Sequence, residues 1–146
     1  MFSVFKFGNF IEQCDVPYTS PDKFQVNDLK VNGGVWRGEQ SREAATGGGV
    51  GGTLPQGWGV LTYAREDPLE RREYRGNMAA GRREGRGTLT WVSGASYAGE
   101  WRGDRREGEG TMFYPNGDVY VGQWKEEKKS GQGTYMHASG SLFTIK

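Results

Sequence analysis

The sequence predicts an all-β protein: a single-layer antiparallel meander of successive hairpins, preceded by an extended N-terminal arm. Three observations predict it. Glycine supplies 25 of 146 residues, aromatics reach 13 %, and all hydrophobics together only 34 %. That glycine share is well above the ~7 % of average proteins. So much glycine with so little aliphatic content argues against a helical bundle or a deep two-layer core. The second observation is a period: Tyr74, Tyr97 and Tyr120 are spaced by 23 both times, and each opens the same pattern. The third is the alternation of aromatic and polar positions after each tyrosine, which suits strands exposed on one side.

The same composition excludes other classes. Five prolines and no glycine at every third position exclude collagen. The tryptophans and tyrosines argue against glycine-rich disorder. Nineteen Lys and Arg against eighteen Asp and Glu leave a formal charge of +1, too small an excess for a general nucleic-acid binder. One cysteine, Cys14, and one histidine, His137, rule out a disulfide framework, a multi-cysteine zinc site and a histidine cage within the chain. No metal and no cofactor are expected. No stretch approaches the ~18 apolar residues of a membrane span. The first residues lack a basic leader and a small-residue cleavage site, so a cytoplasmic protein is expected.

The elements follow in chain order. Residues 1–34 form the arm, with Phe2, Phe5, Phe7 and Phe10 near its start and Pro17 and Pro21 keeping it extended. Residues 35–146 form the repeat domain. Its first unit is stretched: Trp36-Arg37-Gly38-Glu39-Gln40 matches the opening block and Gly57-Trp58-Gly59-Val60-Leu61 the closing one. A glycine-rich insertion near 41–56, including Gly47–Gly52, and a charged loop near 64–73 account for the extra length. Three full units follow. Tyr74-Arg75-Gly76-Asn77-Met78 becomes Tyr97-Ala98-Gly99-Glu100-Trp101 and then Tyr120-Val121-Gly122-Gln123-Trp124. Eleven residues after each tyrosine come Gly85-Arg86-Gly87-Thr88, Gly108-Glu109-Gly110-Thr111 and Gly131-Gln132-Gly133-Thr134. Ser93-Gly94 and Asn116-Gly117 supply reversals. Each unit reads as a hairpin, and a bare glycine leaves a slot over which a ring from the neighbouring unit can lie.

Tyr-x-Gly-x-Trp, then Gly-x-Gly-Thr at fixed spacing, with a period of 23, resembles the MORN repeat. The resemblance covers 74–140 in three whole units and 36–63 in a degenerate one. The departures are Met78 in the tryptophan slot, Trp36 in the tyrosine slot and Gln40 in the tryptophan slot of the first unit. The resemblance implies a non-catalytic, protein-binding scaffold or adaptor of a cytoskeletal, ciliary or flagellar assembly, such as an axoneme.

Three candidate sites emerge. Tyr74, Trp91, Tyr97, Trp101, Tyr114, Tyr120 and Trp124 line one face, with Trp36 and Tyr63. They form either a groove for a partner helix or segment, or rings that stack to hold the sheet. Arg82-Arg83, Arg105-Arg106 and Lys128-Lys129 recur at one offset, in the loop between the two strands of each unit. They read either as a ladder for acidic phospholipids or another anionic partner, or as a solvated edge balanced by its acids. The arm phenylalanines read as a cap over the first repeat or as an anchor in a neighbour. The strand edge at 143–146 invites homo-association or a partner strand. No constellation for catalysis is present: no glycine pair ends in Gly-Lys-Ser/Thr, and His137 has no evident acid or nucleophile beside it. No nucleic-acid partner is expected.

Overall fold

The computed structural model describes residues 29–31, 33–42 and 53–145. The arm phenylalanines Phe2, Phe5, Phe7 and Phe10, Cys14 and the Gly47–Gly52 run lie outside the described residues. The described chain contains no helix. It forms ten strands: β1 (Leu29–Val31), β2 (Gly34–Arg42), β3 (Thr53–Tyr63), β4 (Arg71–Ala79), β5 (Arg82–Trp91), β6 (Ser96–Arg102), β7 (Arg105–Phe113), β8 (Val119–Lys125), β9 (Lys128–Met136) and β10 (Leu142–Ile145). They make one antiparallel sheet in sequence order, a pure meander. At ~4.8 Å per strand the sheet is about 40 Å across. The end of the arm contributes β1, which pairs with β2 and extends the sheet before the first repeat.

The register explains how one layer can have a core. A single row crosses all ten strands: Leu29, Trp36, Leu61, Tyr74, Leu89, Tyr97, Met112, Tyr120, Tyr135 and Phe143 stand opposite one another in turn. Two residues along lies a parallel row of glycines from β2 to β9: Gly38, Gly59, Gly76, Gly87, Gly99, Gly110, Gly122 and Gly133. Each large ring lies down over two of these glycines. A Cβ on Gly87 would come within 2.3 Å of the Tyr74 hydroxyl, and one on Gly110 within 2.3 Å of that of Tyr97. Tyr120 lies over Gly122 and Gly133, and Trp36 over Gly38 and Gly59, in the same way. Tyr74, Tyr97, Tyr120 and Trp36 are 0 % exposed although among the described residues no second sheet covers them. The glycines covered by each ring belong to the hairpin that carries the ring, which corrects the expectation of a ring from the neighbouring unit. The tyrosine is only two residues from the first glycine of its pair, so it falls on its own hairpin before it can reach the next.

The first glycine of each Gly-x-Gly has a separate task. Gly57, Gly85, Gly108 and Gly131 have φ of 65°, 68°, 64° and 54°. Each sits where two extra residues enter the hairpin ladder, between Gly76/Gly87 and Met78/Arg83 in the first full unit. Such bulges bend a strand and need a residue that tolerates positive φ. The hairpin turns are two residues long: Ala80-Gly81, Gly103-Asp104 and Glu126-Glu127, all with positive φ. This geometry matches the right-handed twist of the strands. The turns are so short that Arg82, Arg105 and Lys128 already pair across the ladder. The basic pairs therefore begin β5, β7 and β9 and do not lie in loops, as the sequence had suggested. The glycine-rich insertion reduces to the ten residues between β2 and β3, because 53–56 belong to β3. The charged loop reduces to 64–70, because β4 starts at Arg71.

Candidate interaction face of the sheet

The aromatic rings interlock along the sheet. Trp101 meets Tyr74 edge-on at 5.7 Å and Tyr97 at 5.1 Å, and Trp124 meets Tyr97 at 5.2 Å and Tyr120 at 5.4 Å. Tyr97 is thus held between its own Trp101 and Trp124 of the following unit, while Tyr74, whose unit carries Met78 in the tryptophan position, meets only Trp101, and Tyr120 meets its own Trp124. Edge-to-face pairs at these separations contribute about 0.5–1.5 kcal/mol each beyond area burial. The polar ends of the core rings find partners. The Tyr74, Tyr97 and Tyr120 hydroxyls donate to the carbonyls of Asn77, Glu100 and Gln123 at 2.8–3.1 Å. Trp36 Nε1 donates to the Glu39 carbonyl at 2.8 Å, which copies the tyrosine bond with a different ring. Trp101 Nε1 reaches the Gly87 carbonyl at 3.0 Å and Trp124 Nε1 the Gly110 carbonyl at 3.2 Å. Both bonds cross from one unit to the one before it. Met78 fills the tryptophan position of the first full unit and is buried. Burial pushes the Tyr74 and Tyr97 hydroxyls well above the usual tyrosine range.

The second member of each basic pair turns inward. Arg83 lies 4.2 Å over the Trp101 ring, donates to Asp104 Oδ1 at 3.0 Å and to the Asp104 carbonyl at 2.8 Å, and is buried. Arg106 lies 4.5 Å over Trp124 and donates to the Glu127 carboxylate at 3.0 Å and its carbonyl at 3.1 Å. In both, the acid belongs to the turn of the next unit, 21 residues on. A planar guanidinium can stack on a ring and fork to two oxygens at once. Glu84 and Glu107 add a further link, accepting from Gly103 N at 2.8 Å and Glu126 N at 3.0 Å in the same turns. Lys129 takes the corresponding place in the last unit, over Tyr120, Tyr135 and Tyr114 at 4.7, 4.8 and 5.2 Å. Arg82, Arg105 and Lys128 point outward and are exposed, Arg105 lies 4.0 Å from Glu126, and Lys129, though it lies over the rings, is exposed as well.

The rows of aromatic stacks and cross-unit bonds repeat with the 23-residue period, and a family model decides what they are. The model described as MORN repeat matches residues 74–96, 97–119 and 120–142. Residues 74–142 are three MORN repeats. No curated protein matches the chain. MORN repeats are generally protein- or membrane-binding modules. The unit at 36–63 lies outside the matched MORN repeats. It nonetheless shares their ring-over-glycine geometry through Trp36, Gly38 and Gly59.

Among the candidate residues, Tyr74, Tyr97, Trp101, Tyr120 and Trp124 form the core of the MORN sheet and have almost no accessible surface. Trp91 and Tyr114 are half-buried, at the strand ends beside the aromatic row, with Met112 and Tyr135 packed next to them. Tyr114 and Tyr135 are tilted against each other at 5.8 Å. These four, with the more exposed Phe143 at the end of the row, carry the open part of the face. Tyr135 was missed by sequence reasoning, although it occupies the tyrosine-row register opposite Tyr120. Two acids were missed as well. Asp67 is buried, takes Arg71 at 2.6 Å and the Leu69 and Arg71 amides, and Arg71 in turn stacks over Tyr63 at 4.1 Å. Asp118 accepts from the Ala138 amide, the Tyr135 hydroxyl at 2.9 Å and His137 Nδ1 at 3.2 Å. The Arg71 bond holds the Asp67 carboxyl down at about 2, and the Ala138 amide does most to hold that of Asp118 at about 2. The signal in sequence is an acid beside a turn, which is common. Among the described residues no group of His, Cys, Asp and Glu is arranged to hold a metal.

Proposed function

We propose that this protein is a non-catalytic scaffold whose aromatic side takes up a helix or extended segment of a partner protein. The observation that supports it is the open remainder of the aromatic face, where Trp91, Met112, Tyr114 and Tyr135 stay half-buried beside a fully satisfied core. Large rings of this kind offer contact area at low entropic cost. Their rotamers are already fixed by the neighbours they pack on, so little freedom is lost on docking. The test is Trp91→Ala with Tyr114→Ala, measured by titration against the captured partner. Binding should weaken by ~30-fold or more, as expected when central aromatics are removed, with the CD spectrum unchanged. Undiminished binding would end this reading. Trp101 and Trp124 are unsuitable probes, because their removal would open the core.

A place in a cytoskeletal, ciliary or flagellar assembly is the further part of the proposal and rests on the family resemblance. Detergent extraction of cells tests it: retention of the protein in the insoluble cytoskeleton or axoneme supports it, and release with the soluble fraction counts against it. A phospholipid reading keeps one specific support, the outward column of Arg82, Arg105 and Lys128. It requires liposome binding that falls steeply with salt and with charge reversal at Arg105.

A further inference from the structure

One face of the sheet holds the aromatic core; the opposite face changes character from repeat to repeat. In the first full unit it carries Glu73 and Arg75, which pair with each other at the surface. At the same places 23 residues on stand Ser96 and Ala98, and 23 further on Val119 and Val121. Thr90 becomes Phe113 and then Met136 in the same way. The aromatic face keeps its tyrosine and glycines through these steps, so the core does not demand the change. Phe113, Val119, Val121 and Met136 do not belong to the side chains packed on the aromatic cluster, and Val121 is 42 % exposed. Among the described residues no element covers this face. Apolar side chains gathered on a solvent face mark a contact surface.

The register sets these side chains in two rows. Ser96, Phe113, Val119, Met136 and Leu142 stand opposite one another in turn. Two residues along each strand, Ala98, Thr111, Val121, Thr134 and Thr144 do the same. The rows lie ~7 Å apart on one face. Phe113, Met136 and Leu142 make the first a ridge; the second, all Ala, Thr and Val, is a trough beside it. Neither row carries a charge from β6 to β10. Turned by half a turn about an axis running along the rows, a second copy lays its ridge in this trough and receives this ridge in its own. Phe113 of one copy then faces Thr111 of the other, and Val119 faces Val121. Beyond the trough stand Glu109 and Gln123, opposite each other. The same rotation brings them over the uncharged turn at 115–117, so no like charges meet.

We infer that the face opposite the aromatic core pairs with a second copy of this chain, sheet against sheet, across β6–β10. Sheets packed face to face lie about 10 Å apart with their inner side chains interdigitated, and a ridge set in a trough meets that requirement. Five strands by the seven residues 109–115 span about 24 by 24 Å, roughly 600 Å² per copy. The two copies together reach the ~1,200 Å² at which specific interfaces begin, so the dimer is a micromolar one. The pairing leaves Trp91 and Tyr114 open on the outer side of each copy.

Sedimentation of the full chain from about 1 to about 200 µM tests it, and should follow a monomer–dimer equilibrium. Val119→Glu and Val121→Arg should each weaken the dimer by ~10-fold or more, since each sets an unpaired charge against an apolar side chain. Both should leave the CD spectrum and the urea midpoint nearly unchanged, because Glu73 and Arg75 already hold the equivalent places. Mixed in equal amounts, the two variants should pair with each other ~10-fold more tightly than with themselves. The new carboxylate of one copy then faces the new guanidinium of the other. A chain that stays monomeric throughout would overturn the inference, as would a dimer indifferent to both substitutions or a mixture without preference. A dimer that Tyr114→Ala breaks and Val121→Arg does not would place the contact on the aromatic side and overturn it too.

Discussion

Replacing Gly110 with alanine isolates the contact that lets one layer of sheet hold a core. The backbone at Gly110 is ordinary extended strand, so the substitution introduces no conformational strain, and alanine is normally preferred to glycine in a strand. The added Cβ would lie 2.3 Å from the Tyr97 hydroxyl oxygen and 2.5 Å from two ring carbons. Carbon contacts sit at ~3.5 Å or more, so the ring must lift by about 1 Å. Lifting takes the hydroxyl out of reach of the Glu100 carbonyl, now 3.1 Å away, and off the edges of Trp101 and Trp124 at 5.1 and 5.2 Å. The hydrogen bond is worth about 1 kcal/mol and each edge contact about 0.5–1.5 kcal/mol, and overpacking a tight site costs ~1–3 kcal/mol. These overlap, so the expected loss is about 3 kcal/mol. Urea unfolding followed by CD and tryptophan fluorescence should show the midpoint fall by ~1.5 M, for a slope of about 2 kcal/mol/M. Gly94→Ala is the control. It has φ of 88° and nothing within 4 Å of its added Cβ, so it carries backbone strain alone. Its loss should stay near 1–2 kcal/mol. If Gly110→Ala is as stable as the parent, or loses less than Gly94→Ala, the ring does not rest on the glycine and the packing argument fails.

Other perturbations probe neighbouring parts of the same design. Trp36→Tyr should cost less than about 1 kcal/mol in urea unfolding, because tyrosine fills this seat in the other three units, whereas Trp36→Ala should cost ~3–5 kcal/mol. Arg83→Met keeps the stem over Trp101 but strands the Asp104 interactions; a loss of about 2 kcal/mol is expected, and Arg83→Lys should recover little of it, since an ammonium cannot stack and fork together. The depressed Asp67 and Asp118 carboxyls stabilise the fold only while ionised: their contribution is complete above the ordinary carboxylate pKa near 4 and is lost as pH falls toward about 2. Urea midpoints should therefore drop between pH 4 and pH 2, and Asp67→Asn should flatten that drop; an unchanged slope would remove Asp67 from the account. Spectrophotometric titration should find the Tyr74 and Tyr97 hydroxyls silent until alkaline unfolding.

Much of the fold was legible because its determinants are periodic. The 23-residue spacing of Tyr74, Tyr97 and Tyr120 and the glycine pairs fix strand, turn and face together, and the meander follows from short connections. The site was less legible, because alternation assigns a side chain to a face but not a direction along it. Nothing local tells whether the Tyr97 ring reaches Gly99 and Gly110 or the next hairpin; the register decides. Arg106 shares parity with Gly108 and Gly110, which places it on the aromatic face. Yet a bulge within the strand makes parity an unsafe guide, and a pair of arginines reads as solvated. Its partner Glu127 is 21 residues distant and becomes visible only once the two-residue turn is known. Tyr135 and Asp118 belong to this group too: each acquires its role from the pairing of β8 with β9, which brings residues far apart in sequence together.

The central functional claim is that a partner lies on the aromatic side of the sheet, at its half-buried rings. Site-specific photo-crosslinking tests it most directly, with a benzophenone side chain placed singly at Tyr114 on that side, at Thr111 on the opposite face and at Lys128 in the basic column, within otherwise native protein. The account predicts that the Tyr114 probe captures a discrete partner protein and that the other two do not, a second copy of the chain at Thr111 apart. Capture of another protein from Thr111, or capture from Lys128 with Tyr114 silent, would contradict it.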